Sequence, residues 1–250
     1  MDGGMRYAII AAGEGSRLAE EGISVPKPLV KVGDECLVDR LVKVFMAQGA
    51  SDIFVICRDT MQQVVDHLEQ LRQNGMPVTY VTGHTPSSMH SLYELSVLMG
   101  CDKPFCLTTV DTVFRGDEFA AYVAELQRLL DSGEADGLMG VTDYIDDEKP
   151  LYVSADERYT ITAFRDSDPL PHYVSAGIYG LSPRAFSTLH RCVERGESRM
   201  RNFQRALLAD GLRLRAWPFS TVIDIDHASD IAKASLIVGH QEVLPSASKN

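Results

Sequence analysis

Five short apolar runs, at residues 6–12, 52–57, 77–82, 104–110 and 137–142, recur along the chain with amphipathic stretches between most of them. Each run is continuous or alternates with period two and is bounded by Gly, Pro, Asp or Asn, the pattern of a strand. The intervening stretches repeat apolar residues at helical spacing: Leu37, Leu41 and Phe45; Met61, Val64, Val65, Leu68 and Leu71 before Gly75; Met89, Leu92 and Met99 before Gly100; Phe119, Val123, Leu126 and Leu130 before Gly133. Thr60 and Gln63 add a capping-box signature to the second of these. Strand and helix therefore alternate at least four times, which predicts an α/β fold with a mixed, mostly parallel sheet and helices on both faces. In such sheets ligands bind outside the carboxyl ends of the strands, so the following loops are where chemistry is sought.

After residue 143 the rhythm changes. Residues 151–153, 159–164 and 173–181 read as strands with short links, adding a second, antiparallel layer. Ser182 and Pro183 read as cap and first-turn proline of a further helix. Strand returns at 212–219 and 221–225, and a helix over 230–238 closes the pattern. The expected organisation is one domain over 1–244, in two parts, 1–142 and 143–244, with 245–250 as a loose tail.

Composition narrows the function. A net charge of −11 and a pI near 5.1 argue against nucleic acid as a partner. No apolar stretch reaches the roughly 18 residues of a membrane span, and none near the start resembles a signal peptide, so a cytoplasmic location is expected. Cys36, Cys57, Cys101, Cys106 and Cys192 show no C-x-x-C spacing and the histidines no i, i+4 pair, so no zinc motif is legible. The segment from Gly100 through Cys101 to Cys106 reads as core packing. Eight arginines against three acids between Arg184 and Arg215 read chiefly as a solvated helix face paired with acids elsewhere. Homo-oligomer formation is left open by the sequence.

The first strand runs into Ala11-Ala12-Gly13-Glu14-Gly15-Ser16-Arg17-Leu18, with Pro26-Lys27-Pro28-Leu29 shortly beyond. Glycines after a first strand let backbone N–H groups approach phosphate oxygens, and a following helix would add its positive end. Leu18 stands where a dinucleotide fingerprint needs its third glycine, and no Lys-Ser/Thr follows the glycines as a P-loop requires. Arg17, and Lys27 held between two prolines, instead set two cations beside the loop, as a triphosphate requires.

These segments resemble the signature of the nucleotidyltransferases that make nucleotide sugars and related CDP- or UDP-activated compounds. The fold so implied is the Rossmann-like one of that family, with a small antiparallel acceptor lobe, so that 1–142 would be its nucleotide-binding part and 143–244 its acceptor-binding and closing part. Residues 107–114, Leu-Thr-Thr-Val-Asp-Thr-Val-Phe, are similar to the family's strand ending in a Mg²⁺-binding aspartate, here Asp111; residues 224–231 are similar to its late metal-binding segment. Residues 173–179, containing Ser175 and Gly177, resemble the strand lining the acceptor pocket, and residues 83–92, with Ser87 and Ser88, the loop that meets base and ribose. Two carboxylates at strand ends can clamp one hard cation, and Asp111 and Asp226 are the choice; Asp224, two positions earlier, would lie on the same face of a strand as Asp226. Lys27 would stabilise the α-phosphate in the transition state and Arg17 hold the leaving pyrophosphate. Ala11, Ala12, Gly13, Gly15, Ser16 and Arg17 complete the nucleotide site.

The acceptor so implied is a small phosphorylated molecule, first a sugar 1-phosphate. Many sugar-using members carry Glu-Lys-Pro before the acceptor strand; here residues 163–169 put Arg165 in its place, a bidentate phosphate binder. Phosphocholine or an inositol phosphate is the alternative, because the chain is short for the larger sugar enzymes and lacks their Glu-Lys-Pro. Tyr144 and Tyr152 among Asp143, Asp146, Asp147 and Glu148 could form a cage for a quaternary ammonium, which would point to choline. Two other classes compete. A glycosyltransferase-like protein would favour an Asp-x-Asp that Asp111-Thr-Val lacks, and a silent nucleotide-binding protein would normally have lost Lys27 or a metal aspartate. The nucleobase is not legible.

Overall fold

The computed structural model describes residues 4–145, 149–168 and 173–239. β1 (Arg6–Ala11) leads through α1 (Ser16–Glu20), a 3₁₀ turn (Lys27–Leu29) and the hairpin β2 (Lys31–Val32) and β3 (Glu35–Cys36) to α2 (Leu37–Ala47). β4 (Ile53–Cys57), α3 (Gln62–Gln73), β5 (Val78–Thr82), α4 (Ser88–Met99), β6 (Phe105–Thr109), β7 (Thr112–Val113), α5 (Gly116–Asp131) and β8 (Gly137–Thr142) follow. β9 (Tyr152–Ala155), β10 (Ile161–Arg165), β11 (Tyr173–Leu181), α6 (Arg184–Glu194), α7 (Met200–Ala209), β12 (Leu214–Pro218), β13 (Ile223–Asp224) and α8 (Ala228–Gly239) complete the order.

Among the described residues nine strands share one sheet. β6, β1, β4 and β5 lie side by side and parallel, β11 runs antiparallel against β6, and β8 and β12 continue beyond it parallel to each other. Alternation along β1 sends Tyr7, Ile9 and Ala11 to one face and Ala8 and Ile10 to the other. The first face is covered by α2, α3, α5 and α8, through residues such as Phe45, Leu68, Phe119 and Ala234. The second is covered by α4, α6 and α7, through Leu92, Leu189 and Phe203. The chain leaves β1 for β4 and β5 on one side, then crosses back through α4 to β6 on the other. The order reverses between β1 and β6, and the crevice at a reversal point of this kind receives ligands.

Several local expectations are corrected. The antiparallel addition is no second layer: β9 and β10 join the main sheet through β11, whose nine residues pair with β6 at one end and β9 at the other. Thr60 does not cap α3, because a turn from Arg58 to Met61 delays the helix and Met61 stands at its N-cap without a side-chain bond. Ser182 does not cap α6 by its side chain; its carbonyl accepts from Ala185, and Pro183 is the N-cap. Cys106 is core, but Cys101 is exposed. The α1 helix has five residues and adds little dipole to the loop before it. Residues 245–250 lie outside the described residues, and no helix among those described is long and apolar enough to cross a membrane.

Candidate active site

The loop after β1 and the turn after β6 face each other across the reversal point. Val110 donates to Ile10, which docks the turn against β1. Asp111 follows, and β7 then pairs with β13, setting Thr112 opposite Asp224 while Ile225 donates to the Asp111 carbonyl at 3.0 Å. This two-residue pairing brings together carboxylates more than 110 positions apart. Asp226 lies beyond β13, so the strand-face argument does not reach it. The carboxylate of Asp230 at the start of α8 accepts from the amides of Asp226 and His227 at 3.2 and 2.8 Å, a helix-start bond that sets the backbone carrying Asp226. Glu21, at the end of α1, accepts from Ala228 at 2.6 Å and bonds His227, tying the glycine-rich loop to α8.

Lys27 is at the centre. Its ammonium donates to Asp111 Oδ2 at 2.8 Å and to Asp226 Oδ1 at 2.7 Å, and Arg17 Nη1 donates to Asp226 Oδ2 at 2.9 Å. The 3₁₀ turn opened by Pro26 places Lys27, with its side chain 8% exposed, under the glycine-rich loop. Gly15 has φ +65°, and a Cβ there would lie 3.1 Å from the Cβ of Lys27, so both its conformation and its close approach require glycine.

Burial would lower the Lys27 pKa, but Asp111 and Asp226 outweigh it and hold the ammonium charged. Burial would likewise raise Asp226, and Lys27 holds it below the usual carboxylate range. Asp224, which lines both cavities, is pushed above the usual carboxylate range by the protein packed around it and then by the charge of Asp111, while it accepts from Thr112. All three carboxylates offer hard oxygen donors, and Asp111 and Asp226 already converge on one cation-sized point occupied by the Lys27 ammonium. The set therefore fits a hard divalent cation.

Two cavities of about 300 Å³ each open on either side and share Asp224 and Asp226. One runs from Ala12, Gly13 and Lys27 past Arg58 to Ser87, Ser88 and Asp111. The other runs from Arg17 past Tyr144, Ser175 and Asp224 to His227 and Lys233. The sequence pattern of the nucleotidyl transferase family matches residues 7–238, across both cavities and every element between them. The chain belongs to that family.

Among curated relatives, glucose-1-phosphate cytidylyltransferase of Salmonella typhimurium is 30% identical over 108 residues, 43% of this chain. The match spans 39% of that relative's length. A solved structure from Bacillus anthracis, described as a glucose-1-phosphate thymidylyltransferase, superposes with a TM-score of 0.80 at 21% identity over 98% of both chains. The inositol-1-phosphate CTP transferase of T. maritima superposes at 0.76 and 17% identity, covering 98% of this chain and 99% of that one. These two likenesses show the nucleotidyl transferase fold.

Not every anticipated residue of the nucleotidyl transferase site meets a cavity. Ala11 is fully buried in the core and Ser16 lies exposed at the start of α1, while Arg17 lines the second cavity rather than the first. Arg165 points outward from β10 at the sheet edge, because alternation turns Phe164 inward. Ser175 lines the second cavity and donates to Gln204 at 3.2 Å. Gly177 does not line it: with φ +71° and a would-be Cβ 2.9 Å from Thr112 Oγ1, it makes the bulge that lets β11 approach β7. Tyr144 lines the second cavity, Tyr152 does not, and Asp146, Asp147, Glu148 and Pro169 lie outside the described residues.

Sequence reasoning missed Arg58, whose guanidinium donates to the Ala12 carbonyl at 2.8 Å and pairs with Glu14 at 3.0 Å while lining the first cavity. Its place after β4, at the carboxyl end of a parallel strand, was the available signal. The arginine-rich tract is largely paired: Arg184 and Arg213 with Asp136, Arg191 with Asp210, Arg195 with Glu197, and Arg201 and Arg205 with Asp166.

Proposed function

We propose that this chain catalyses Mg²⁺-dependent transfer of a nucleotidyl group from an NTP to a small phosphorylated acceptor, releasing pyrophosphate, with a sugar 1-phosphate as the acceptor. The observation that carries this reading is the pair of similar cavities meeting at Asp224 and Asp226, which gives donor and acceptor opposite approaches to one charged centre. An acceptor phosphate oxygen attacks the α-phosphorus, and the bond to pyrophosphate breaks as the new P–O bond forms. Charge gathers on the α-phosphate oxygens, and Lys27, buried and held charged, would donate to them once Asp111 and Asp226 hold a metal ion in its place. Arg17 is half exposed and lines the second cavity, so holding the departing pyrophosphate would require its side chain to swing from Asp226 toward the first. Asp111 and Asp226 would hold Mg²⁺ with Asp224 beside them, and the bound ion would neutralise phosphate charge. Ser87 and Ser88, at the start of α4, receive the nucleoside end, and Ser175 the acceptor.

The relative's name makes CTP with glucose 1-phosphate the first pair to assay. Tyr144 in the second cavity supports a second reading, in which the acceptor is phosphocholine, and the likeness to an inositol-1-phosphate CTP transferase adds an inositol phosphate to the acceptors to assay. A pyrophosphate-release screen of four NTPs against these acceptors, in Mg²⁺ and in EDTA, tests both. Turnover with one pair in Mg²⁺ and none in EDTA is expected, and no release with any pair overturns the proposal. If phosphocholine is the acceptor, Tyr144→Ala raises its KM more than Tyr152→Ala.

A further inference from the structure

On the face covered by α2 and α3, away from both cavities, three side chains of unlike chemistry meet. Cys36 ends β3 and stands at the N-cap of α2, Asp39 lies in the first turn of α2, and His67 projects from the middle of α3. His67 Nε2 is 2.6 Å from Asp39 Oδ1 and 3.7 Å from Cys36 Sγ, and the three donor atoms lie within 4.8 Å of one another. Both contacts fall on the same ring nitrogen. A thiol–imidazole–carboxylate relay needs the two different nitrogens, one for the thiol and one for the orienting carboxylate. Burial also pushes the Cys36 thiol up to about 12, far from a nucleophile's range.

What the geometry suits is a shared ligand. We propose that Cys36 Sγ, His67 Nε2 and Asp39 Oδ1 form a transition-metal site, with Zn²⁺ as its ion and water in the remaining position. Sulfur, imidazole and carboxylate together select Zn²⁺ over the hard cation suited to the all-oxygen set at Asp111 and Asp226. Tetrahedral Zn²⁺, with bonds of about 2.0 Å to nitrogen and 2.3 Å to sulfur, places those two ligands roughly 3.5 Å apart. The observed separation is 3.7 Å. The nitrogen and oxygen, at 2.6 Å, need to part by roughly 0.7 Å to reach the corresponding edge. Asp39 and His67 side chains are 27% and 26% exposed, which leaves a path for the ion and room for water. On binding, the thiol gives its proton to solvent, His67 coordinates as neutral imidazole, and the hydrogen bond to Asp39 is exchanged for two metal bonds. The site would clip the β2–β3 hairpin and α2 to α3, behind the 3₁₀ turn that carries Lys27.

The test uses the whole chain, stripped with chelator and titrated calorimetrically with Zn²⁺, then with Co²⁺ as a spectroscopic substitute. One equivalent of Zn²⁺ binding at micromolar or tighter Kd, a thiolate-to-Co²⁺ charge-transfer band and a rise in Tm on Zn²⁺ addition are expected. All three should vanish in Cys36→Ser, which replaces the thiol with a hydroxyl of similar shape, and in His67→Ala, while the band persists in Asp226→Asn. Circular dichroism of the metal-free variants checks that they fold; if Cys36→Ser does not, the persistence or loss of the Co²⁺ band in Asp39→Asn and His67→Ala decides. Zn²⁺ binding that is absent from the wild type, or unchanged in Cys36→Ser, overturns the site. None of these outcomes depends on nucleotidyl transfer.

Discussion

Lys27 donates to Asp226 at 2.7 Å across 199 positions of sequence, with Asp111 on the same ammonium at 2.8 Å. This pair joins the glycine-rich loop, the turn after β6 and the start of α8 at one point. Lys27→Met should cut turnover by about 10² or more, the scale of losing one preorganised donor to transition-state charge. It should also destabilise the metal-free protein by roughly 1–3 kcal/mol, less than for a fully buried pair because Asp226 is 42% exposed. Steady-state kinetics and thermal melts in EDTA check the two parts, and an unchanged rate would reject the assigned role.

Asp111→Asn and Asp226→Asn should each lower Mg²⁺-dependent turnover by at least about 10². Raising Mg²⁺ should recover part of that loss, which metal titrations of the rate would reveal. Loss that no Mg²⁺ concentration relieves, with Mg²⁺ affinity unaltered, would point away from a metal clamp.

Gly177→Ala should be costly although it adds one methyl group. The positive φ and the 2.9 Å approach to Thr112 Oγ1 both oppose a Cβ, and a loss of about 1–3 kcal/mol is expected. Because Thr112 donates to Asp224 at 3.1 Å, turnover should fall with stability. Chemical denaturation alongside kinetics distinguishes this from a purely structural effect.

Arg199 has φ +80° and ψ +138°, a region that side chains avoid, and its amide donates to Ser87 Oγ at 3.3 Å beside the first cavity. Arg199→Gly should stabilise the fold by about 0.5–2 kcal/mol, the relieved strain less the added chain entropy of glycine. A melting temperature at or below that of the wild type would contradict the strain.

Asp136 supplies one acid-sensitive group of bonds in the fold. Burial would raise its pKa, but the Arg213 amide at 2.8 Å, then Arg184 at 2.6 Å, hold it below the ordinary value. A depressed carboxyl contributes stability that is present above its unfolded value, near pH 3.9, and lost as pH falls through the folded value. Asp136→Asn should therefore destabilise at neutral pH by about 1–3 kcal/mol, with the gap to wild type closing in strong acid. Urea midpoints across pH 2–7 measure it.

Much of the fold was legible in local pattern, because apolar periodicity and glycine stops are written into consecutive residues. The runs at 6–12, 52–57, 77–82 and 104–110 all became parallel strands, and residues 137–142 became β8 without a change of boundary. Legibility failed where an element is held by partners rather than by its own pattern. The two-residue strand β7 exists through its pairing with β13, which lies inside the 221–225 run that the sequence does show. The helix α7, whose Met200, Phe203 and Leu207 recur at helical spacing, is obscured by the arginines between them.

The same division applies to the site. Gly15, Lys27, Asp111 and Asp226, which the fold gathers at one point, could be chosen from the sequence because the proposed phosphate and metal chemistry needs those residue types beside strand ends. The sequence by itself determined the α/β alternation, the signature loop and its two cations. Only the tertiary structure decided that one ammonium bridges Asp111 and Asp226, that Gly177 supports Thr112 instead of lining a cavity, and that Arg58 joins the first cavity. It also decided that Cys36, Asp39 and His67 meet, since their positions 36, 39 and 67 fit no spacing rule. These are contacts between chain segments from 28 to about 200 residues apart, and their geometry is set by sheet order and helix packing, which local periodicity does not encode.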